Sequence, residues 1–394
     1  MKLPPLRLKP HEDRRLRAGH LWVYANEVDT DRTPLTGFAA GALCRVEDVR
    51  GAVLGVAYVN PHTLLCARLL SGRGEAQIDR DWIARRLRAA LALREAVYDR
   101  PYYRLIHGEG DGLPGLVVDR YGDQLVVQIN TAGFERLKAP LLEALGEVVV
   151  PQGIRLRNDT PMRRIEGLSL YLETIGAAAE WIELDEGGVR FTVPLASSQK
   201  TGWFFDQRDN RERLARYARG ARVLDLYAYI GAWGLRAAGL GAAGVVCADA
   251  SASALEAARA NADLNGVTLE TLQGQALEVL KALAAEERRF ELVIVDPPAL
   301  IKRKRDAASG LSHYQRLNRA ALELVTPGGV LVSCSCSFHL DAAELQRVLL
   351  RAARGAGRRL QILEIGGQGP DHPVHPAIPE TRYLKAFFCR SMPE

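Results

Sequence analysis

Short apolar runs separated by turn residues open the chain: Leu21-Trp22-Val23-Tyr24, Ala42-Leu43-Cys44-Arg45-Val46, Ala52-Val53-Leu54-Gly55-Val56-Ala57-Tyr58 and Leu64-Leu65-Cys66-Ala67-Arg68. Runs of this length and spacing predict strands of a small β-barrel or sandwich over residues 1 to 72. Helical periodicity follows from Asp79 to about Val97, with Arg on the outer positions. The turn-dense stretch Gly108-Glu109-Gly110-Asp111-Gly112-Leu113-Pro114-Gly115 then leads into a hairpin, Leu116-Val117-Val118-Asp119 and Leu125-Val126-Val127-Gln128-Ile129. A helix near Phe134 to Leu145 and further strands up to about Tyr171 make residues 73 to 189 a small mixed α/β module. From about residue 190 to 394 the pattern changes. Apolar strands at Val223–Tyr227, Val245–Asp249, Leu292–Asp296 and Val330–Ser333 alternate with helical stretches such as Ala252–Asn265 and Leu317–Leu324. That alternation predicts a doubly wound parallel sheet, so the fold class is α/β.

Composition narrows the class. The 394 residues are 47% hydrophobic and 25% charged with 36 Gly and 19 Pro, which excludes a disordered tail, a collagen-like chain or a coiled-coil rod. The most Ala/Gly-rich segment is interrupted by Arg236 and Asp249, so no stretch approaches the roughly 20 apolar residues of a membrane span. Prolines stand where a signal peptide needs its apolar run, and a cytoplasmic protein is expected. Six cysteines without a Cys-x-x-Cys pair predict free thiols and no metal site. The net charge is +5, and only eight of the 52 bases are Lys. Within the first 17 residues, Lys2, Arg7, Lys9, Arg14, Arg15 and Arg17 face Glu12 and Asp13, a local net of +4. This cluster is either solvated surface or an RNA-facing edge.

In a doubly wound sheet the ligand lies outside the carboxyl ends of the strands, where the strand order reverses. A Gly-x-Gly-x-x-Gly occurs at Gly239, Gly241 and Gly244, but it follows a helix and precedes a strand. A dinucleotide fingerprint needs the opposite order, so that free N–H groups cradle a pyrophosphate. The strand opening the fold ends Asp225-Leu226-Tyr227-Ala228-Tyr229-Ile230-Gly231, and the next ends at Asp249, 24 residues after Asp225. One acid with a turn glycine, then a second acid, suits a sulfonium nucleoside. One carboxylate meets the amino-acid end and the other the ribose diol, with no phosphate to hold. S-adenosyl-L-methionine is therefore the expected cofactor. Asp249 has a competing role as a helix N-cap.

Asp296-Pro297-Pro298-Ala299 ends the fourth strand, where a methyl acceptor would face. Ala299 supplies no ring to stack an extruded base, which disfavours methylation of an exocyclic amine. The fifth strand ends Ser333-Cys334-Ser335-Cys336-Ser337. Carbon 5 of a pyrimidine is a poor nucleophile until a thiolate adds at carbon 6, so a cysteine here suits carbon methylation. Cys336 is the candidate nucleophile and Cys334 the structural thiol. The thiolate is the reactive form, and Lys302-Arg303-Lys304-Arg305 is read as a basic loop able to favour it and hold RNA phosphates, or else as solvated surface.

The chain resembles, over essentially its full length, the RlmI-like family of PUA-domain class I rRNA methyltransferases, which act on cytosine carbon 5 in the large subunit. The matching stretches are Gly19-His20-Leu21-Trp22-Val23, Arg104-Leu105-Ile106-His107-Gly108-Glu109, Gly112 to Tyr121, Gln199-Lys200-Thr201-Gly202, Asp206-Gln207-Arg208, Asn210-Arg211, Asp225 to Gly231, Asp296-Pro297-Pro298, Ser335-Cys336-Ser337, Asp371-His372-Pro373 and Tyr383-Leu384-Lys385. The resemblance implies an N-terminal PUA-like β-barrel that holds RNA, a small middle α/β domain and a C-terminal Rossmann-like methyltransferase domain. It further implies that Asp225, Tyr227, Asp249 and Asp296 line the cofactor pocket, that Asp206 and Arg208 close it, and that Cys336 is the nucleophile. Two positions depart from the family: Phe338 where Gly is frequent, and Gln275 where an acid would meet the adenine amine, a bond an amide also accepts.

The expected function is cytosine-C5 methylation of large-subunit rRNA through a cysteine adduct, with Asp296 orienting the base. The partner is ribosomal RNA, no membrane is involved, and a homodimer is left open. Guanine-N7 methylation of rRNA is the nearest rival. A non-catalytic RNA-binding assembly factor is the rival from another class.

Overall fold

A computed structural model describes residues 3–195 and 202–393. Lys2, Gln199, Lys200 and Thr201 lie outside the described residues. The chain divides into two units. The first holds Met1–Ile182, Pro194–Phe205 and Pro370–Thr381; the second holds Glu183–Val193, Asp206–Gly369 and Arg382–Glu394.

The first unit opens with β1 (Pro5–Arg7), the single turn α1 (Arg14–Arg17), β2 (Trp22–Tyr24), β3 (Ala42–Glu47), β4 (Val53–Val59) and β5 (Leu65–Ser71). The sheet order is β1-β3-β4-β5-β2, and a bridge between Leu8 and Val28 joins its two edges, curling it towards a barrel. Next comes α2 (Arg80–Val97), whose N-cap Asp79 accepts the Trp82 amide at 2.9 Å. A second sheet follows: β6 (Tyr102–His107), β7 (Leu116–Tyr121), β8 (Gln124–Ile129), β9 (Gly153–Asn158) and β10 (Tyr171–Gly176), ordered β10-β9-β8-β7-β6. Between β8 and β9 the expected single helix is two, α3 (Ala132–Arg136) and α4 (Lys138–Val148). Pro140 lacks an N–H and is accommodated in a first turn, where amides have no helical acceptor. The short helix α5 (Pro161–Ile165) precedes β10.

The two sheets of this unit share a core. Val56, Tyr58 and Leu70 cluster with Trp82, Leu105, Leu116 and Phe134. A Cβ on Gly133 would stand 2.1 Å from the Tyr58 ring, so a bare backbone is what lets α3 approach.

The second unit begins in the hairpin β11 (Trp181–Glu186) and β12 (Val189–Pro194), followed by α6 (Arg208–Glu212). Its main sheet alternates strand and helix: β13 (Arg222–Leu226), α7 (Ala232–Gly239), β14 (Gly244–Asp249), α8 (Ala252–Leu264), β15 (Glu270–Gln273), α9 (Ala276–Ala285), β16 (Phe290–Val295), α10 (Ala307–Leu324), β17 (Val325–Ser335), α11 (Ala342–Gly355), β18 (Arg358–Gly366) and β19 (Lys385–Pro393). The order is β15-β14-β13-β16-β17-β19-β18, parallel except for β19, which is antiparallel to both neighbours. The order reverses between β13 and β16, so the crevice at their carboxyl ends is where a ligand belongs.

Candidate active site

The turn after β13 carries backbone strain. Tyr227 (φ 64°), Tyr229 (φ 51°) and Gly231 (φ 85°) are all left-handed. For tyrosine this conformation is unfavourable and persists only where the surroundings enforce it, most often at functional sites. Here the enforcement comes from β14: the Tyr229 amide donates to Asp249 Oδ2 at 2.9 Å, and the Ala228 amide to the Ala248 carbonyl at 3.0 Å. Asp249 Oδ1 accepts the Ser251 amide at 2.9 Å. The N-cap of α8 is Ser251, whose hydroxyl accepts the Ala254 amide, so the competing capping role for Asp249 falls away.

Asp225 is fully buried at the end of β13. Its Oδ2 accepts the Gly234 amide of α7 at 2.9 Å, while Oδ1 is buried without a hydrogen-bond partner among the described residues. Burial pushes this carboxyl up to about 8, and the neighbouring charges of Asp296 and Asp249 act in the same direction. Gly234 has to be glycine, since a Cβ there would lie 2.6 Å from Cys247 Sγ.

Asp296 follows β16. Gln207 Nε2 donates to its Oδ1 at 2.9 Å and Trp233 Nε1 to its Oδ2 at 3.0 Å. Burial raises this carboxyl to about 6 against the pull of those two donors and of Arg211. Arg211 is itself buried on Glu186, with contacts of 2.5 and 2.8 Å, and Arg208 lies 3.6 Å from the same carboxylate. Asp206 accepts the Tyr383 hydroxyl at 2.6 Å. Gln275 is exposed at the N-terminus of α9, after the end of β15.

Cys336 lies one residue past β17 and is the one partly exposed thiol among the six cysteines. Its Sγ is 3.9 Å from the Pro297 carbonyl oxygen. Cys334 is fully buried, and burial pushes its thiol well above the ordinary range. The backbone around Cys336 is pinned. Ser337 Oγ accepts the Ile301 amide at 3.1 Å, and Tyr314 Oη bonds Ser335 Oγ at 2.9 Å and Ser337 Oγ at 3.1 Å.

The basic candidates separate. Lys302, Arg303, Lys304 and Arg305 are exposed, with Arg303 paired to Asp306 at 2.9 Å. In the N-terminal cluster Arg15 is bound to Glu27 at 2.6 Å, and Arg17 to Asp13 at 2.5 Å and Asp48 at 2.8 Å; Arg14 is exposed. Arg15 and Arg17 are thus already matched by carboxylates. A cation inside the site escaped the sequence reading of charge: Lys385, buried at the start of β19, donates to the Ser337 carbonyl at 2.6 Å and the Tyr383 carbonyl at 2.8 Å. Gln207 and Trp233 were likewise unassigned, because only folding brings them onto Asp296.

S-adenosyl-L-methionine fits this donor set. The uncommitted, buried Oδ1 of Asp225 and the carboxylates of Asp249 and Asp296 gather at one strand-end crevice. Such a group can receive an ammonium, a sulfonium and a ribose diol.

Sheet order, strained strand-end turn and clustered acids together define a class I methyltransferase. A family described as S-adenosylmethionine-dependent methyltransferase matches residues 147–389, and one described as PUA-like domain matches residues 6–72. The ribosomal RNA large subunit methyltransferase I of Aliivibrio fischeri is 35% identical over 387 residues, covering 96% of this chain and 97% of the relative. The Vibrio cholerae protein of that name is 34% identical over 401 residues, covering 98% and 99%. Among solved structures, a methyltransferase complexed with SAH has a TM-score of 0.84 at 19% identity, covering 98% of this chain and all of that one. A SAM-dependent methyltransferase from Streptococcus mutans has a TM-score of 0.81 at 17% identity, with the same coverage. The chain belongs to the ribosomal RNA large subunit methyltransferase I family of S-adenosylmethionine-dependent enzymes.

Proposed function

We propose that the protein methylates carbon 5 of a cytosine in large-subunit (23S) rRNA through a covalent Cys336 adduct. The observation that carries this reading is the single accessible thiol at the end of β17, 3.9 Å from the carbonyl of Pro297 in Asp296-Pro297-Pro298. A base inside a helix cannot reach such a site, so the target cytosine is extruded. Cys336 adds to carbon 6, forming a C–S bond and making carbon 5 enamine-like. Bound S-adenosylmethionine supplies an electrophilic methyl carbon. After carbon 5 gains the methyl group, loss of its proton and departure of the thiolate restore the ring. Asp296, held by Gln207 and Trp233, orients the polar edge of the base.

For the cofactor, we assign Asp225 to the amino-acid end, Asp249 to the ribose diol and Gln275 to the adenine amine. Tyr227 and Gly231 shape the turn between them, Asp296 borders the methyl group, and Asp206 and Arg208 close the pocket. On the RNA side, residues 1–72 act as the RNA-holding domain with the exposed Arg14 among its bases, residues 73–189 as the middle domain, and residues 190–394 as the catalytic domain. Lys302, Arg303, Lys304 and Arg305 hold phosphates. The enzyme acts in the cytoplasm, and light scattering distinguishes a monomer from a homodimer.

Nucleoside mass spectrometry of rRNA from a deletion strain tests the reaction. One 5-methylcytosine should disappear and return with the wild-type gene but not with Cys336→Ala. Loss of a 7-methylguanosine instead would overturn the assignment. Calorimetry on purified Cys336→Ala should still show S-adenosylmethionine binding.

A further inference from the structure

Lys385 is an unusual residue to bury at the end of a central sheet. An ammonium out of water is unfavourable unless something charged or strongly accepting offsets its lost hydration. Its position is set by the β17–β19 register, which places Lys385 opposite Ser335, the residue before Cys336. Its Nζ reaches across to the Ser337 carbonyl, the residue after Cys336, at 2.6 Å and to the Tyr383 carbonyl at 2.8 Å. Two of the three ammonium donors are therefore used on backbone, and the side chain spans the segment that carries the nucleophile.

The geometry points to Lys385 as a positioning residue that holds Cys336 as a thiolate and fixes the backbone from which that thiolate projects. This rests on Cys336 being the nucleophile, and it deepens that assignment. Tyr314 from α10, Cys334 from β17 and Lys385 from β19 each interact electrostatically with Cys336. Tyr314 and Cys334 are both pushed towards their neutral forms by burial, whereas Lys385 carries a charge of opposite sign to a thiolate. Lys385 in turn feels Cys336 and Asp341, the exposed N-cap of α11. Burial lowers its ammonium to about 8 and those two groups raise it, so the charged form is retained at neutral pH. The network continues to the cofactor side, because Tyr383, whose carbonyl Lys385 binds, donates its hydroxyl to Asp206.

The test is the pH dependence of iodoacetamide alkylation at Cys336, followed by peptide mass spectrometry on the full-length protein. The five other thiols are buried and serve as internal controls. Wild type should show a midpoint below the ~8.5 of a free thiol. Lys385→Gln keeps a donor for the Ser337 carbonyl but removes the charge, and should raise the midpoint by about 1–2 pH units. Lys385→Arg should restore most of the shift. An equal midpoint in wild type and Lys385→Gln would overturn the pairing. If Lys385→Gln does not fold, the ultraviolet thiolate absorbance lost between wild type and Cys336→Ala at pH 7.5 decides, and no loss overturns it. Failure of the nucleophile assignment looks different: Cys336→Ala would go on methylating rRNA while the alkylation midpoint still moved with Lys385.

Discussion

Asp225 sets a conflict between stability and binding at the scale of one residue. Its carboxyl titrates at about 8 in the fold, against about 3.9 in an unfolded chain. The folded state therefore binds this proton more tightly, and the group's contribution to stability is largest at low pH and is lost as pH rises from about 4 towards 8. Asp225→Asn removes that penalty in a side chain of equal size. The variant should be more stable than wild type by the order of 1–3 kcal/mol at pH 7, with a gap that narrows on acidification, as read by urea unfolding at several pH values. The same change removes the carboxyl that can ionise against the cofactor's ammonium in the proposed pocket, so S-adenosylmethionine affinity should fall roughly 10- to 100-fold in calorimetry. A variant that binds as well as wild type would remove Asp225 from the site. The acids Asp225, Asp249 and Asp296 were legible in the sequence because each ends an apolar strand. Gln207, Trp233 and Lys385 were not, because the first two donate across 89 and 63 residues to Asp296 and the third is set beside Cys336 by antiparallel register. Charge counting drew attention to the exposed 302–305 loop and passed over Lys385, a lone lysine buried within an apolar run.

Among the elements, the alternating strands of the second unit were readable from their continuous apolar runs, and α2 from its N-cap and periodicity. The long helix α10 was readable only in its second half. Ala307-Ala308-Ser309-Gly310 looks like a break, yet the helix runs from Ala307 to Leu324. Gly310 is there because a Cβ would lie 2.3 Å from Ile301 Cγ1 and 3.1 Å from the Leu300 carbonyl oxygen. Packing overrides propensity at this position. Gly310→Ala should gain up to about 1 kcal/mol of helix propensity but lose about 1–3 kcal/mol to overpacking, a net destabilisation in thermal unfolding. Because the Ile301 amide is bound to Ser337 Oγ beside Cys336, methylation should fall by more than stability alone explains. A variant more stable than wild type would show that the contact is easily relieved. The strand β19 was not singled out among the expected strands, and with it went Lys385, the buried base bonded to the Ser337 carbonyl.

For the whole molecule, the motifs carried the family, but periodicity could not show that residues on both sides of position 72 share a core. Tyr58 and Phe134 meet edge-on with ring centroids 6.3 Å apart, a contact between segments that look independent in the sequence. RNA binding belongs to this scale too. Replacing Lys302, Arg303, Lys304 and Arg305 together by Gln removes four bases, one of them already paired with Asp306. Each phosphate contact contributes roughly 0.7–0.9 to the slope of log affinity against log salt, so that slope should shrink by about 2–3 in filter binding. An unchanged slope would mean that the loop is solvated surface. The covalent step is the centre of the account, and it can be trapped. With 5-fluorocytosine in a target rRNA fragment, carbon 5 carries no proton to lose after methyl transfer, so the thiolate cannot depart and the adduct persists. Wild-type protein with S-adenosylmethionine should give a protein–RNA band that survives denaturing gel electrophoresis, and Cys336→Ala should give none. A band of equal intensity from Cys336→Ala, or no band from wild type that methylates the normal fragment, would contradict it.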